Sequence, residues 1–221
     1  MNDKQLYKQL LGLNEDWEVS EVQIDFNELK VDVFIDKSKQ TKCKCPTCGK
    51  ECSIYDTQYE RNWRHLDTMQ FKTILHCNLP RINCKEHGIQ VIETSWAEKY
   101  ARYTILFEKW AIDILLACKN QTKAKELLGL SWNQIHNIIK KAVERGLTKR
   151  EKLETELIGV DEKSFKKGQS YVTVLYDIDN ASVIDIAEDR KEESLKNLLK
   201  QFSSHQRKKI KAVAVDMWEA Y

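Results

Sequence analysis

The chain has 221 residues, 42% of them hydrophobic, and a formal net charge of +2. That length and apolar content allow one to three domains with buried cores, and no apolar run approaches the ~18 residues of a membrane span. The first residues, MNDKQLYKQLLGL, lack the basic-then-apolar pattern of an export signal, and the seven cysteines are odd in number and mostly clustered. Both observations point to a cytoplasmic protein with reduced thiols and a metal site rather than a disulfide framework.

Charge is spread unevenly. Residues 1–36 hold three Lys/Arg against nine Asp/Glu, whereas residues 119–152 hold nine against three. A basic window in a near-neutral chain suggests a polyanion such as nucleic acid, with a solvated basic helix face as the alternative. In chain order, residues 4–11 read as a short helix, and WEVSEVQIDF and KVDVFID alternate as half-buried strands do. A cysteine-rich stretch, 42–88, follows, with QFKTILHCNLPRINC as its extended middle. From Tyr103 to Cys118 the period becomes helical, offering Ile105, Leu106, Trp110, Ile114, Leu115 and Cys118 to one face. Two more helices are predicted at about 122–129 and 132–145, then a charged connector, TKREKLETE. From Leu157 the period returns to two: LIGVDE, YVTVLYDI and ASVIDIAE read as strands, KEESLKNLLKQF as an amphipathic helix and IKAVAVDM as a fourth strand.

Cys45-Pro-Thr-Cys48-Gly49 and Cys84-Lys-Glu-His87-Gly88 are two copies of one device. Two residues between ligands let both reach one ion, and the following glycine can take the positive φ that turns the backbone around it. Together they make a closed four-ligand shell for a structural Zn²⁺; the alternative is a chance Cys84–His87 pair. Cys43, Cys52, Cys77, His65 and His76 form no further knuckle and read as buried or free side chains. The 35-residue gap between knuckles fits a zinc ribbon built from β-hairpins better than a ββα finger.

In TKAKELLGLSWNQIHNIIKKAVERG, one helix stops at Gly129, Leu130 plugs the turn, and Ser131 with Gln134 forms a capping box that starts the next. This is a helix-turn-helix pattern, with an ordinary helical hairpin as the alternative. Ile135, Ile138, Ile139, Ala142 and Val143 form the buried stripe. Asn133, Gln134, His136, Asn137, Lys140 and Lys141 are left on the outer surface, where amides can pair with adenine edges and lysines can hold phosphates.

Three strands in meander, a helix and a fourth strand are the opening of a ribonuclease H-like fold, in which the fourth strand lies parallel beside the first. Asp161 and Asp216 would then come side by side. Neighbouring carboxylates repel, which makes divalent cations their natural occupants, and a Mg²⁺ or Mn²⁺ pair there suits phosphodiester chemistry. Asp177 and Asp179, in DIDN, read as turn residues, and Glu162 and Asp185 as solvated strand residues. An aspartate ending a strand is also often only a turn residue.

The order of these parts carries a resemblance. The CPxCG knuckle, the CxxHG knuckle followed by tryptophan (CKEHGIQVIETSWAEKY), the helix-turn-helix, then IGVDEKSFKKGQSYVTVLYDID and AVDMWEAY are similar to bacterial insertion-sequence transposases of the ISL-three family. It covers roughly residues 42–221, most specifically in the last two motifs. The resemblance implies a DNA transposase whose zinc-binding domain and helix-turn-helix engage double-stranded terminal inverted repeats, with self-association on paired ends and nucleoid association when bound. It also implies a DDE catalytic domain using Mg²⁺ or Mn²⁺. Asp161 in GVDE and Asp216 in VDMW match its first two acids. The third is a glutamate well downstream, so this chain alone is expected neither to cleave nor to join DNA. The expected architecture is an α+β multidomain chain: an N-terminal helix and strands (1–41), a zinc ribbon-like β module (42–96), a helical helix-turn-helix module (97–155) and a partial ribonuclease H-like α/β module (156–221). Two rival readings are a non-catalytic DNA-binding remnant competing for the repeats and a zinc-dependent interaction module without a nucleic-acid role.

Overall fold

Asn2 opens the first helix, α1 (Asp3–Leu10), through a capping box in which its side chain accepts from the Gln5 N–H and the Gln5 side chain accepts from its own. Two strands follow, β1 (Trp17–Asp25) and β2 (Lys30–Lys37), paired antiparallel, with Val31, Val33 and Ile35 turned inward in strict alternation. The computed structural model describes residues 2–150, 154–166 and 170–216, and it divides into two units, 1–147 and 148–221. The connector TKREKLETE and the AVDMWEAY motif lie partly outside the described residues.

In the first unit, β3 (Cys43–Lys44), β4 (Glu51–Arg64), β5 (Lys72–Cys84) and β6 (Gly88–Val91) complete a six-stranded sheet. Its order is β1-β2-β5-β4-β3, with β6 also on β5, and β2 runs parallel to β5. Residues 1–41 therefore share a sheet and a core with the cysteine-rich stretch. Strand β4 was not foreseen: its largely exposed side chains and two register shifts blur the alternation by which a strand is recognised. The core holds Trp17, Trp63 and Trp96, the last meeting the other two edge-on at 4.8 and 5.6 Å between ring centres. Full burial of side chains such as Val33, Leu75 and Ile82 contributes about 1.5–3 kcal/mol each.

Three helices complete this unit: α2 (Ile105–Cys118), α3 (Gln121–Leu128) and α4 (Trp132–Thr148). Phe107, Ala111, Leu128, Leu130, Ile135 and Ile138 pack between them. The expected inner face of α2 needs correction, because Ile105 and Leu106 are exposed while Phe107 and Ala111 are fully buried. That helix is apolar nearly all round, so periodicity does not choose a face; the docking of its first turn does. Val143, expected in the buried stripe of α4, is also exposed.

The second unit is a four-stranded sheet of order β10-β7-β8-β9: β7 (Leu157–Lys166), β8 (Ser170–Asp177), β9 (Ser182–Glu188) and β10 (Ala212–Val215). Helices α5 (Glu192–Lys200) and α6 (Ser204–Lys209) connect β9 to β10. Leu198 and Phe202 pack with Ile158, Val160, Leu175 and Ile184. The meander is antiparallel and β10 returns parallel to β7, as the strand pattern implied. Asp185 is exposed as expected, but Glu162 is not simply solvated: its Oε1 is buried with no hydrogen-bond partner among the described residues. Alternation along β7 turns it to the same face as Ile158 and Val160.

Candidate metal centre and nucleic-acid interface

Each cysteine knuckle sits at the end of a hairpin. The backbone of Cys45 accepts from Gly49 (2.8 Å) and donates to Lys50 (2.9 Å), closing the β3–β4 turn, while Cys84 is in register with Gly88 across the β5–β6 turn. Gly49 and Gly88 take φ of 71° and 66°, conformations that a side chain disfavours. Because β4 pairs with β5 up to Ser53 and Asn83, the two turns meet.

The donor atoms of Cys45, Cys48, Cys84 and His87 then lie within 4.8 Å of one another. The Cys48–Cys84 sulfurs are 3.8 Å apart, and Nδ1 of His87 is 3.8 Å from Cys45 and 3.6 Å from Cys84. An ion ~2.3 Å from each thiolate in a tetrahedron sets sulfur pairs at ~3.8 Å, so three sulfurs and one imidazole nitrogen are spaced as zinc requires. Backbone N–H groups of Glu86 and His87 pull the Cys84 thiol down to about 7, favouring the ligating thiolate. Cys77, by contrast, is pushed up to about 12 by burial, as suits an inert core thiol. None of Cys43, Cys52, Cys77, His65 and His76 joins the four-residue cluster. His76 is instead held by Asp32 (2.6 Å) and Glu60 (2.9 Å) and stacks on Phe34.

Helices α3 and α4 meet in the turn the sequence foretold. Gly129 takes φ 62°, Leu130 is buried, Ser131 N–H donates to Gln134 Oε1 (2.7 Å), and the Gln134 N–H donates to Ser131 Oγ (3.3 Å). Of the six residues assigned to the outer surface of α4, Asn133, His136, Asn137 and Lys140 are exposed. Gln134 and Lys141 are half-buried and already engaged. Gln134 serves the cap and bonds Tyr103, whose phenol burial raises; Lys141 reaches Glu98 at 3.2 Å. Arg145 binds both Glu98 (3.3 Å) and the buried Glu108 (2.5 Å). Sequence reasoning missed this anchoring by Glu98 and Glu108; an acid facing a basic helix across a turn leaves no periodic signal. It also passed over Trp132, half-exposed in the first turn of α4 with the Lys125 ammonium 5.5 Å from its ring.

In the second unit, Val160 pairs with Val215 in the parallel β7–β10 ladder, so Asp161, midway along β7, and Asp216, just past the end of β10, are neighbours on adjacent strands. Both are exposed. Asp177 does act in the hairpin turn, accepting from the backbone (3.0 Å) and side chain (2.9 Å) of Asn180. Gly159, two residues before Asp161, lies under the ring of Tyr176, where a Cβ would meet Cζ at 2.1 Å.

Three family models match the chain in series: the zinc-finger of transposase IS204/IS1001/IS1096/IS1165 over residues 41–87, the helix-turn-helix domain of transposase family ISL3 over 92–143, and a transposase domain of the same family over 158–221. The chain belongs to the ISL3 transposase family. Among relatives, the transposase for insertion sequence element IS1557 of Mycobacterium tuberculosis is 26% identical over 192 residues, covering 83% of this chain and 43% of the relative. The transposase for insertion sequence element IS1001 of Bordetella parapertussis is 26% identical over 178 residues, covering 80% and 44%. The chain thus spans less than half the length of the curated relatives it matches. No solved structure gives a significant match. The metal cluster falls within the first ISL3 match, the capped turn within the second, and the paired aspartates within the third. Among the described residues, no helix is long and apolar enough to cross a membrane.

Proposed function

We propose that this ISL3-family chain carries the DNA-recognition part and the first two catalytic acids of an insertion-sequence transposase. The observation that supports it most is the placement of Asp161, midway along β7, beside Asp216, just past the end of the parallel strand β10, in a chain that also carries a capped helix-turn-helix. Cys45, Cys48, Cys84 and His87 would hold a structural Zn²⁺ in a zinc ribbon, a four-ligand set that would tie two hairpins together. Asn133, His136, Asn137 and Lys140 enter the major groove of double-stranded terminal inverted repeats, while Gln134 and Lys141 fix the pose of α4. The second unit is the opening of a ribonuclease H-like fold. There Asp161 and Asp216 would hold Mg²⁺ or Mn²⁺, which would supply charge stabilisation for hydrolysis and transesterification at phosphodiesters. Neighbouring carboxylates disfavour one another's charge, which a bound divalent cation would offset. The protein acts on DNA in the bacterial cytoplasm and assembles on paired ends.

The test is transposition of the whole element in cells, together with duplex binding by the purified 221-residue chain. Asp161→Asn or Asp216→Asn should abolish transposition while duplex affinity stays within about twofold, whereas Lys140→Ala should weaken binding and lower the salt slope by about one. Undiminished transposition by the Asp161 and Asp216 variants would remove the catalytic assignment. Salt-insensitive or absent duplex binding by the wild type would remove the DNA-binding one.

A further inference from the structure

The segment before α2 makes a tight turn against the recognition helix. Ala101 N–H donates to the Glu98 carbonyl at 3.0 Å, which puts Lys99 and Tyr100 at the two corners of a β-turn. Tyr100 occupies the second corner with φ 63°, a position that ordinarily goes to glycine or asparagine. Its side chain is 78% exposed, with the Lys99 ammonium 5.3 Å from the ring. A bulky ring held in a glycine-favouring position and turned to solvent gains nothing for the core, so what it contributes must come from outside the fold.

What lies beside it indicates the partner. Tyr100 and Arg102 form one wall of a concavity of about 430 Å³ whose other wall is α4, through Asn137 and Lys140. Glu98, the acid of the turn, is neutralised by Lys141 and Arg145 and so clamps the turn to α4. Lys99, Arg102 and Lys140 are exposed around this face; its lining includes two acids, Glu108, held by Arg145, and Glu144, one turn beyond Lys140, while Glu60 and Glu93 line the cleft on the other side of the turn.

We propose that the Lys99–Arg102 turn is a second DNA-contacting element, gripping the sugar–phosphate backbone that flanks the groove entered by α4. Lys99 and Arg102 hold phosphates, Tyr100 lays its ring against the sugar edge between them, and Glu98 is a positioning residue that sets the spacing from turn to helix. This rests on the reading of α4 as a recognition helix.

Phosphate contacts are independent of sequence, so the probe is a labelled mixed-sequence duplex of about 30 base pairs, titrated with the full 221-residue chain across a salt series. Lys99→Ala and Arg102→Ala should each raise Kd about five- to tenfold and reduce the slope of log Kd against log salt by about one. Lys4→Ala, an exposed charge on α1, controls for net charge and should change neither. Tyr100→Gly should weaken binding while the melting temperature stays level or rises, because the turn conformation suits glycine. If Lys99→Ala and Arg102→Ala bind like Lys4→Ala while Lys140→Ala still weakens binding, the turn is not an interface and the reading of α4 stands. If the wild type shows no duplex binding at low salt, both fall. Wild-type affinity in Tyr100→Gly removes the ring from the proposal.

Discussion

His65 and Thr104 share a hydrogen bond of 2.9 Å, with both side chains buried, and it joins the end of β4 to the N-cap of α2. The same Thr104 hydroxyl accepts from the Phe107 N–H at 3.2 Å. Around it, Arg64 exchanges backbone hydrogen bonds with Arg102 and Thr104, each at 3.0 Å, and lays its guanidinium over Phe107 at 5.0 Å. The sheet that carries the Cys45–Cys48–Cys84–His87 cluster and the helices of the helix-turn-helix are thereby one folding unit.

The imidazole of that bond makes the unit sensitive to acid. Burial, aided by the nearby Arg64 charge, lowers His65 from its usual 6.5 to about 4. Between those values the unfolded chain binds a proton that the native one refuses, so the contribution is complete above pH 6.5 and is lost as pH falls towards 4, by about 3 kcal/mol in all. From pH 7 to 5 the loss should be about 2 kcal/mol. Acid also competes with zinc for the thiolates, so urea unfolding of His65→Asn beside wild type isolates the effect. The variant should lose about 2 kcal/mol less over that interval. Equal losses in the two proteins would show that His65 does not carry the dependence.

Zinc removal should act on the same unit. Wild-type protein is expected to hold one zinc per chain by atomic absorption, and Cys84→Ser, which keeps size but loses the thiolate, should bind it more than about 100-fold more weakly. Chelation should lower the melting temperature followed by fluorescence of the Trp17–Trp96–Trp63 cluster. Unchanged melting after verified metal loss would contradict a structural zinc.

Gly159→Ala tests the carboxylate end of the second unit. The new Cβ collides with the ring of Tyr176, which must swing away or push β8 from β7. We expect a cost of about 1–3 kcal/mol in urea unfolding, relieved in Gly159→Ala/Tyr176→Ala. Wild-type stability in the single variant would mean that the ring moves freely and does not brace the strand bearing Asp161.

The paired acids make the opposite prediction for folding. Asp161, midway along β7, and Asp216, just past the end of β10, are both exposed, so Asp161→Asn and Asp216→Asn should change the melting temperature little. Added Mn²⁺ should raise the melting temperature of the wild type more than that of either variant. An equal Mn²⁺ effect in all three proteins would place any cation elsewhere.

The sequence by itself determined the features whose chemistry is local. Cys45 with Cys48, and Cys84 with His87, are legible as a cluster because donors three apart before a glycine can turn towards one centre. Gly129, Leu130, Ser131 and Gln134 define the helix-turn-helix turn within a few residues, and the period-two strands with one intervening amphipathic helix imply the parallel return that aligns Asp161 with Asp216. Tertiary structure alone decided the rest. Strand β4 exists because β5 pairs with it, not because its own residues alternate, and the inner face of α2 is chosen by Thr104 docking on His65 rather than by a periodicity that a helix apolar nearly all round expresses only weakly. The clamp of Glu98 on Lys141 and Arg145 spans more than forty residues of chain. Such ion pairs are made by side chains whose composition looks like ordinary surface, and only the packing that brings them within reach distinguishes them.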